Sequence, residues 1–172
     1  MGQSCLYRFN QGISVGCTIP QVGVKDIYLM HADEVKLTLD VGGNVTAVAF
    51  AEGKESYKIE GYKQNIQLTA SVFSTDVSVK LAASIIFKMP SVNTFLMKTI
   101  LSGRYYVLVV RNSGTAILVG VQAPLECSGF DYDSNGGAGF ATVTLSAPEG
   151  SGGNYLSGIT EPAITSITSK AV

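Results

Sequence analysis

Few residues in this chain have the type and spacing that chemistry needs, and each candidate can be judged by its neighbours. Gly12-Ile-Ser14-Val-Gly16 matches G-x-S-x-G, the sharp turn that presents a nucleophilic serine between a strand and a helix. Cys17-Thr-Ile-Pro20 follows, which will not start a helix of useful length, and the sole histidine, His31, lies only seventeen residues on. Glycines that give turns to an extended segment account for Ser14 better than catalysis does. Cys5, Cys17, Cys127 and His31 could nominally supply four zinc ligands, but strong zinc sites bring their ligands in close pairs, and no C-x-x-C or H-x-x-x-H occurs. Free thiols acting as small hydrophobes are the commoner use. Asp131-Tyr-Asp133-Ser-Asn135-Gly136 begins like a calcium loop, yet its twelfth position is Thr142 instead of Glu, and strands flank it, not helices.

The remaining motifs are weaker. Asn44-Val-Thr46 is a glycosylation sequon, which has meaning only in a secreted chain. No phosphate-cradling glycine spacing is present, and carboxylates occur close together only on opposite strand faces or in turns. His31, beside the apolar stretch Ile27-Tyr-Leu-Met30, reads as a strand-end residue. No catalytic, cofactor-binding or metal-ligating residue is therefore assigned, no cofactor is expected, and the chain is not expected to be an enzyme.

Composition points the same way. Of 172 residues, 46% are hydrophobic and 15% charged, well under the roughly 25% charged of ordinary soluble domains. No stretch of about 18 apolar residues is present to span a membrane as a helix, so the apolar surplus is expected to be buried within the fold and between subunits. The net charge of −1, with no run of three basic residues, excludes a general electrostatic grip on nucleic acid. Three cysteines are too few for a disulfide framework, and the first residues, MGQSCLYRFN, lack the apolar core of a secretory signal; synthesis in a reducing cytosol is expected. MGQSCL also resembles a myristoylation signal, but Leu6 stands where Ser or Thr is required.

The elements that must carry these residues are mostly strands. Residues 1–23 read as an extended, glycine-punctuated arm. Alternation begins at Val24-Lys-Asp-Ile-Tyr-Leu-Met30 and continues through Glu34–Asp40, a turn at Asp40–Asn44, Val45–Ala51 and Ser56–Tyr62. Asn65–Ser74 and Val77–Met89 then suggest a hairpin longer than the usual strand of five or six residues. In PSVNTFLMKTILSG, Val92, Phe95, Leu96, Thr99 and Ile100 fall at helical spacing, with Ser91 as a candidate N-cap and Gly103 at the C′ position. One helix is expected, over 92–101. Arg104–Arg111 is nearly all apolar, as in a strand buried on both faces, and Asn112-Ser-Gly114 turns it back into Thr115–Val121. Leu125–Tyr132 and Ala138–Ser146 flank a glycine-rich connection, and 148–172, rich in Gly, Ser and Thr, reads as an extended C-terminal arm. The expected fold is mainly β: an antiparallel sandwich or barrel over 24–147 with one short flanking helix and an arm at each end.

The order of these elements is similar to a known group. NTFLMKTILSGRYYVLVVRNSGTAILVG, then PLECSGFDYDSNGGAGFATVTLSAPEG and NYL, resemble small tail and neck proteins of tailed bacteriophages infecting gut Bacteroidota, including the crAss-like phages. The resemblance covers about 85–160, with a looser echo at 64–90, and rests on no reactive residue. It implies a tail-tube-like fold whose copies close into a sixfold or twelvefold homo-oligomeric ring or tube around a DNA channel, as tube, tail hub or head–tail connector ring. The implied partners are other copies, neighbouring neck or tail proteins, and DNA passing without specific binding; the implied location is the virion, after synthesis in the host bacterial cytoplasm. Within that reading the long hairpin at 64–90 is expected to line the lumen or to bridge subunits. The alternative is a carbohydrate- or receptor-binding β-sandwich on a virion or cell surface, for which Tyr132 and Tyr155 are the suggestive residues and the absence of Trp counts against.

Overall fold

The computed structural model describes residues 23–61, 65–74, 79–89, 93–135, 140–148 and 156–172. The expectation of a mainly β, antiparallel fold is met. The alternating segments form β1 (Val24–His31), β2 (Val35–Leu39), β3 (Val45–Phe50), β4 (Tyr57–Glu60), β5 (Ile66–Ser74), β6 (Val79–Met89), β7 (Arg104–Arg111), β8 (Ala116–Val119), β9 (Leu125–Tyr132), β10 (Ala141–Ser146) and β11 (Ser157–Gly158). Nine of these make one sheet in the order β11-β8-β7-β9-β10-β6-β5, with β1 on the other edge of β7 and β4 beyond it; β2 and β3 form a separate hairpin.

The large sheet bends where β7 changes partner. Val107–Val110 pair with β8, but Arg104 and Tyr105 pair with Glu126 and Leu125 of β9. Gly120 between β8 and β9 has φ +98, and a Cβ there would press within 2.9 Å of the Tyr105 carbonyl, so the corner needs glycine. Beyond the corner, β9, β10, β6 and β5 fold back over β1 and β7. The main core fills the space between: Ile27, Leu29, Val107, Val109 and Val119 meet Ile66, Ile85, Phe87, Val143 and Leu145. Each of these side chains contributes about 1.5–3 kcal/mol by leaving water.

The alternate residues of β1, β7 and β8 face the other way, which explains why Arg104–Arg111 reads as apolar throughout. Tyr28, Met30, Leu108 and Leu118 pack with Val45 and Val48 of the β2–β3 hairpin and with Ala163 and Ile167. The last two belong to a helix that corrects the sequence reading. Residues 148–172 are not simply an extended arm: they include β11 and the helix α2 (Glu161–Thr168). Thr160 N–H donates to the Val45 carbonyl at 3.0 Å, and its hydroxyl to the Thr46 carbonyl at 3.1 Å, which fixes where the helix starts. After α2 the chain runs parallel to the start of β4, with Val172 N–H on Ser56 O at 3.0 Å and Lys58 N–H on Val172 O at 3.1 Å. The end of the chain thus covers the outer edge of β4, as an exposed edge strand requires.

The expected helix over 92–101 is present as α1 (Thr94–Ser102), displaced by about one to two residues. Its N-cap is Asn93, whose side chain accepts from Leu96 N–H at 2.8 Å, not Ser91, which lies outside the described residues. Gly103 does not adopt the left-handed C′ conformation, since its φ is −85. It must be glycine because any Cβ would collide with the Tyr105 ring. The expected arm at 1–23 lies, apart from Gly23, outside the described residues.

Candidate functional site

Ser14, Cys5, Cys17 and Tyr155 fall outside the described residues, as does Gly136. The others are placed as parts of the framework. His31, at the end of β1, stacks edge-on to Tyr57 with ring centroids 5.7 Å apart and tilts against Tyr105 at 5.0 Å. Strand pairing explains the contact, because His31 sits opposite Tyr105 in the β1–β7 register and Tyr57 is the first residue of β4. Sequence spacing gives no sign of this cluster, whose members come from three strands.

The Tyr105 hydroxyl and the neighbouring Cys127 thiol are both held in the protonated form. The Tyr105 hydroxyl is buried and donates to the Thr99 carbonyl at 2.6 Å. Burial first, then the neighbouring Cys127 and Tyr57, pushes its pKa up to about 12. The Cys127 thiol, half-buried on β9, points at the Gly129 carbonyl at 3.3 Å. Burial raises its pKa, so little thiolate forms near neutrality.

Asp131 and Asp133 do lie at the β9–β10 connection, but the Asp133 carboxylate accepts from Asn135 N–H at 2.8 Å, a turn-closing bond that needs no cation. Thr142 stands directly opposite Asp131 within the ladder, so the would-be twelfth ligand is a strand residue. No three metal-ligating side chains converge among the described residues. Asn44 of the sequon donates its amide to Asp40 at 3.0 Å, and Asp40 also accepts from Gly42 and Asn44 N–H. These bonds lower the Asp40 pKa, with the Asn44 side-chain contribution largest. Asp26 and Glu60 flank Lys58 at 3.7 and 3.3 Å, an ion-paired trio across β1 and β4 in place of a free carboxylate pair.

The described residues also expose apolar side chains. On α1, Leu96, Met97 and Ile100 turn toward the sheet, while Thr94, Phe95, Lys98 and Leu101 share the outward face. Phe95, one of the apolar residues at helical spacing, is 78% exposed, the most exposed aromatic described, and Leu101 is 54% exposed. The helix packs along β9. Tyr132, the last residue of β9, and Phe140, just before β10, are 50% and 37% exposed. Helical periodicity alone could not detect this face, because apolar residues lie on both sides of the helix.

A second feature is the long hairpin. β6 pairs with β10 only as far as Ser84, whereas its pairing with β5 continues through Ala70↔Ala83 to Ser74↔Val79. Among the described residues, the part of the β5–β6 pair beyond Ser84 is therefore two-stranded. A groove of ≈ 560 Å³ lies at its base, lined by Gly23, Val24, Ile66, Leu68, Ala70 and Arg111 among others. No helix described is long and apolar enough to cross a membrane. Comparison with protein families, with curated proteins and with solved structures finds no match to this chain.

Proposed function

We propose that this chain is a structural virion protein, assembling with copies of itself into a ring or tube around the DNA channel of a phage tail or head–tail connector. The observation that carries the proposal is the pair of exposed apolar side chains on the outward face of α1, Phe95 and Leu101. A surface of this kind costs solubility unless another molecule covers it, and copies of the same chain are the simplest cover. The two-stranded part of the β5–β6 pair suits the same role, since strands beyond the β6–β10 ladder can reach a neighbour. The scarcity of charge fits a wall past which DNA slides without being held. Within this assembly the chain acts through shape, with no reaction and no cofactor, beside neck or tail proteins above and below.

Glycan or receptor binding is the competing reading, favoured by Tyr132, half-exposed next to the Asp133 turn. Sedimentation of the wild type against Phe95→Glu and Leu101→Glu separates the two. Assembly predicts a multimer for the wild type and at least a tenfold weaker association for each variant. A wild type that stays monomeric at every concentration while binding immobilised glycans through Tyr132 would overturn the proposal.

A further inference from the structure

α2 and residues 170–172 are joined to the rest of the fold at two ends that differ in kind. At the first, β11 pairs with β8, Ile159 bridges to Val45, and Thr160 bonds to Val45 and Thr46 through its N–H and hydroxyl. At the second, nearly everything closes on one buried residue, Ser56. Its hydroxyl donates to the Ile167 carbonyl at 2.8 Å and its N–H to the Lys170 carbonyl at 3.0 Å. Its carbonyl accepts from Val172 N–H at 3.0 Å, and Lys58 N–H adds a bond to the Val172 carbonyl at 3.1 Å. Ser56 thus directs its side chain and both backbone groups at α2 and the residues after it, and holds the two at once.

Between these ends α2 has little stability of its own. Its eight residues fall short of the roughly 12–15 at which an isolated helix begins to hold, and Ile164, Thr165, Ile167 and Thr168 are β-branched. The Thr160 side chain caps no N–H of the helix, because its hydroxyl is engaged with Thr46. The hydroxyls of Thr165, Ser166, Thr168 and Ser169 bond back to carbonyls of the same helix. Docking supplies what is missing, since Ala163 and Ile167 are buried with Tyr28, Met30, Leu108 and Leu118. A helix released from this surface has nothing to keep it folded, and residues 170–172 then lose the segment that aims them at Ser56.

We propose that residues 161–172 are a strap that opens and closes as one unit, with Thr160 as its pivot and Ser56 as its catch. Opening uncovers two things together: the apolar surface of Met30, Leu108 and Leu118, and the N–H groups of Ser56 and Lys58. The strap thereby governs whether this edge of β4 is open to pairing. The large sheet stays whole beneath it, because β11 is held before the pivot and β4 keeps its pairing with β1. This device does not depend on assembly into rings; a monomeric chain carries it equally.

Residue-resolved hydrogen exchange on the full-length protein under native conditions tests it. The expected result is one common protection factor for the amides of Ser56, Lys58, Ile164, Ser169 and Val172, about tenfold or more below that of β7. The Thr160 amide, on the pivot side, should exchange with the sheet instead. Val172→Pro removes the bond to the Ser56 carbonyl without touching α2. It should nevertheless speed Ile164 and Ser169 by about fivefold, the effect of one lost hydrogen bond on the opening of the whole strap, while β7 and β10 are unchanged. Ser56→Ala, which deletes only the hydroxyl bond to Ile167, should speed the same set, Val172 included. Three results would each overturn the proposal: α2 amides as slow as those of β7 in the wild type, a Val172→Pro protein in which Ser56 and Lys58 speed but Ile164 and Ser169 do not, or equal acceleration of β7.

Discussion

At the residue scale, the partners of a polar side chain set how readily it ionises. Tyr105 is the clearest case, because its buried hydroxyl has a single carbonyl partner and resists ionisation. Its pKa in the fold lies above the ordinary value of 10.0, so the protonated form is favoured by folding. The associated stability is therefore fully present below pH 10 and is lost as pH rises through about 12. Chemical denaturation between pH 9 and 12 should show that loss in the wild type and a reduced one in Tyr105→Phe. At neutral pH the same substitution should cost about 1–2 kcal/mol, by deleting the bond to Thr99 and leaving its carbonyl to the Gly103 N–H alone. Asp40 behaves in the opposite sense. Its lowered pKa means that the turn bonds are intact above the ordinary value of 3.8 and fail as pH falls through the lower folded value. Nuclear magnetic resonance titration should find the Asp40 carboxyl protonating at lower pH than an unstructured aspartate, and a normal value would contradict the turn geometry.

At the element scale, what could be read from sequence depended on whether a local pattern reflected a local cause. β1 and β7 were legible as apolar runs because both of their faces are buried, and β2 because Val35, Leu37 and Leu39 alternate with polar residues. α1 was legible in place but not in orientation: Phe95 and Ile100 both fit a helical stripe, and only the packing of Leu96, Met97 and Ile100 on the sheet decides which side is covered. α2 was missed because Ala-Ile-Thr-Ser-Ile-Thr has weak helix propensity and its hydroxyls bond back to the preceding turn, Thr165 to Glu161 O at 3.0 Å and Ser166 to Pro162 O at 3.0 Å. Pro162 in the first turn and Glu161 before it were the local signals available. Burial of Ala163 and Ile167 against the central strands supplies the rest of its stability. Ile167→Ala should accordingly cost about 2–5 kcal/mol in denaturant unfolding, and Asn93→Ala, which removes the cap of α1, about 1 kcal/mol. A negligible effect for Ile167→Ala would mean that α2 is not docked as described.

At the scale of the whole molecule, the sheet arrangement leaves two features without an internal use: the exposed face around Phe95 and the ribbon beyond Ser84. The long hairpin could be read from the sequence, but the exposure of Phe95 and the end of the β6–β10 ladder could not, because both depend on where β9 and β10 lie. Spacing along the sequence does not show which apolar side chains stay exposed; that required the fold. The measurement that tests the account most directly is the mass of the purified full-length protein by light scattering across a concentration series, with electron microscopy of the same peak. The account predicts closed rings, or tubes that lengthen with concentration. A monomer at every concentration, with no rings in the images, would contradict it.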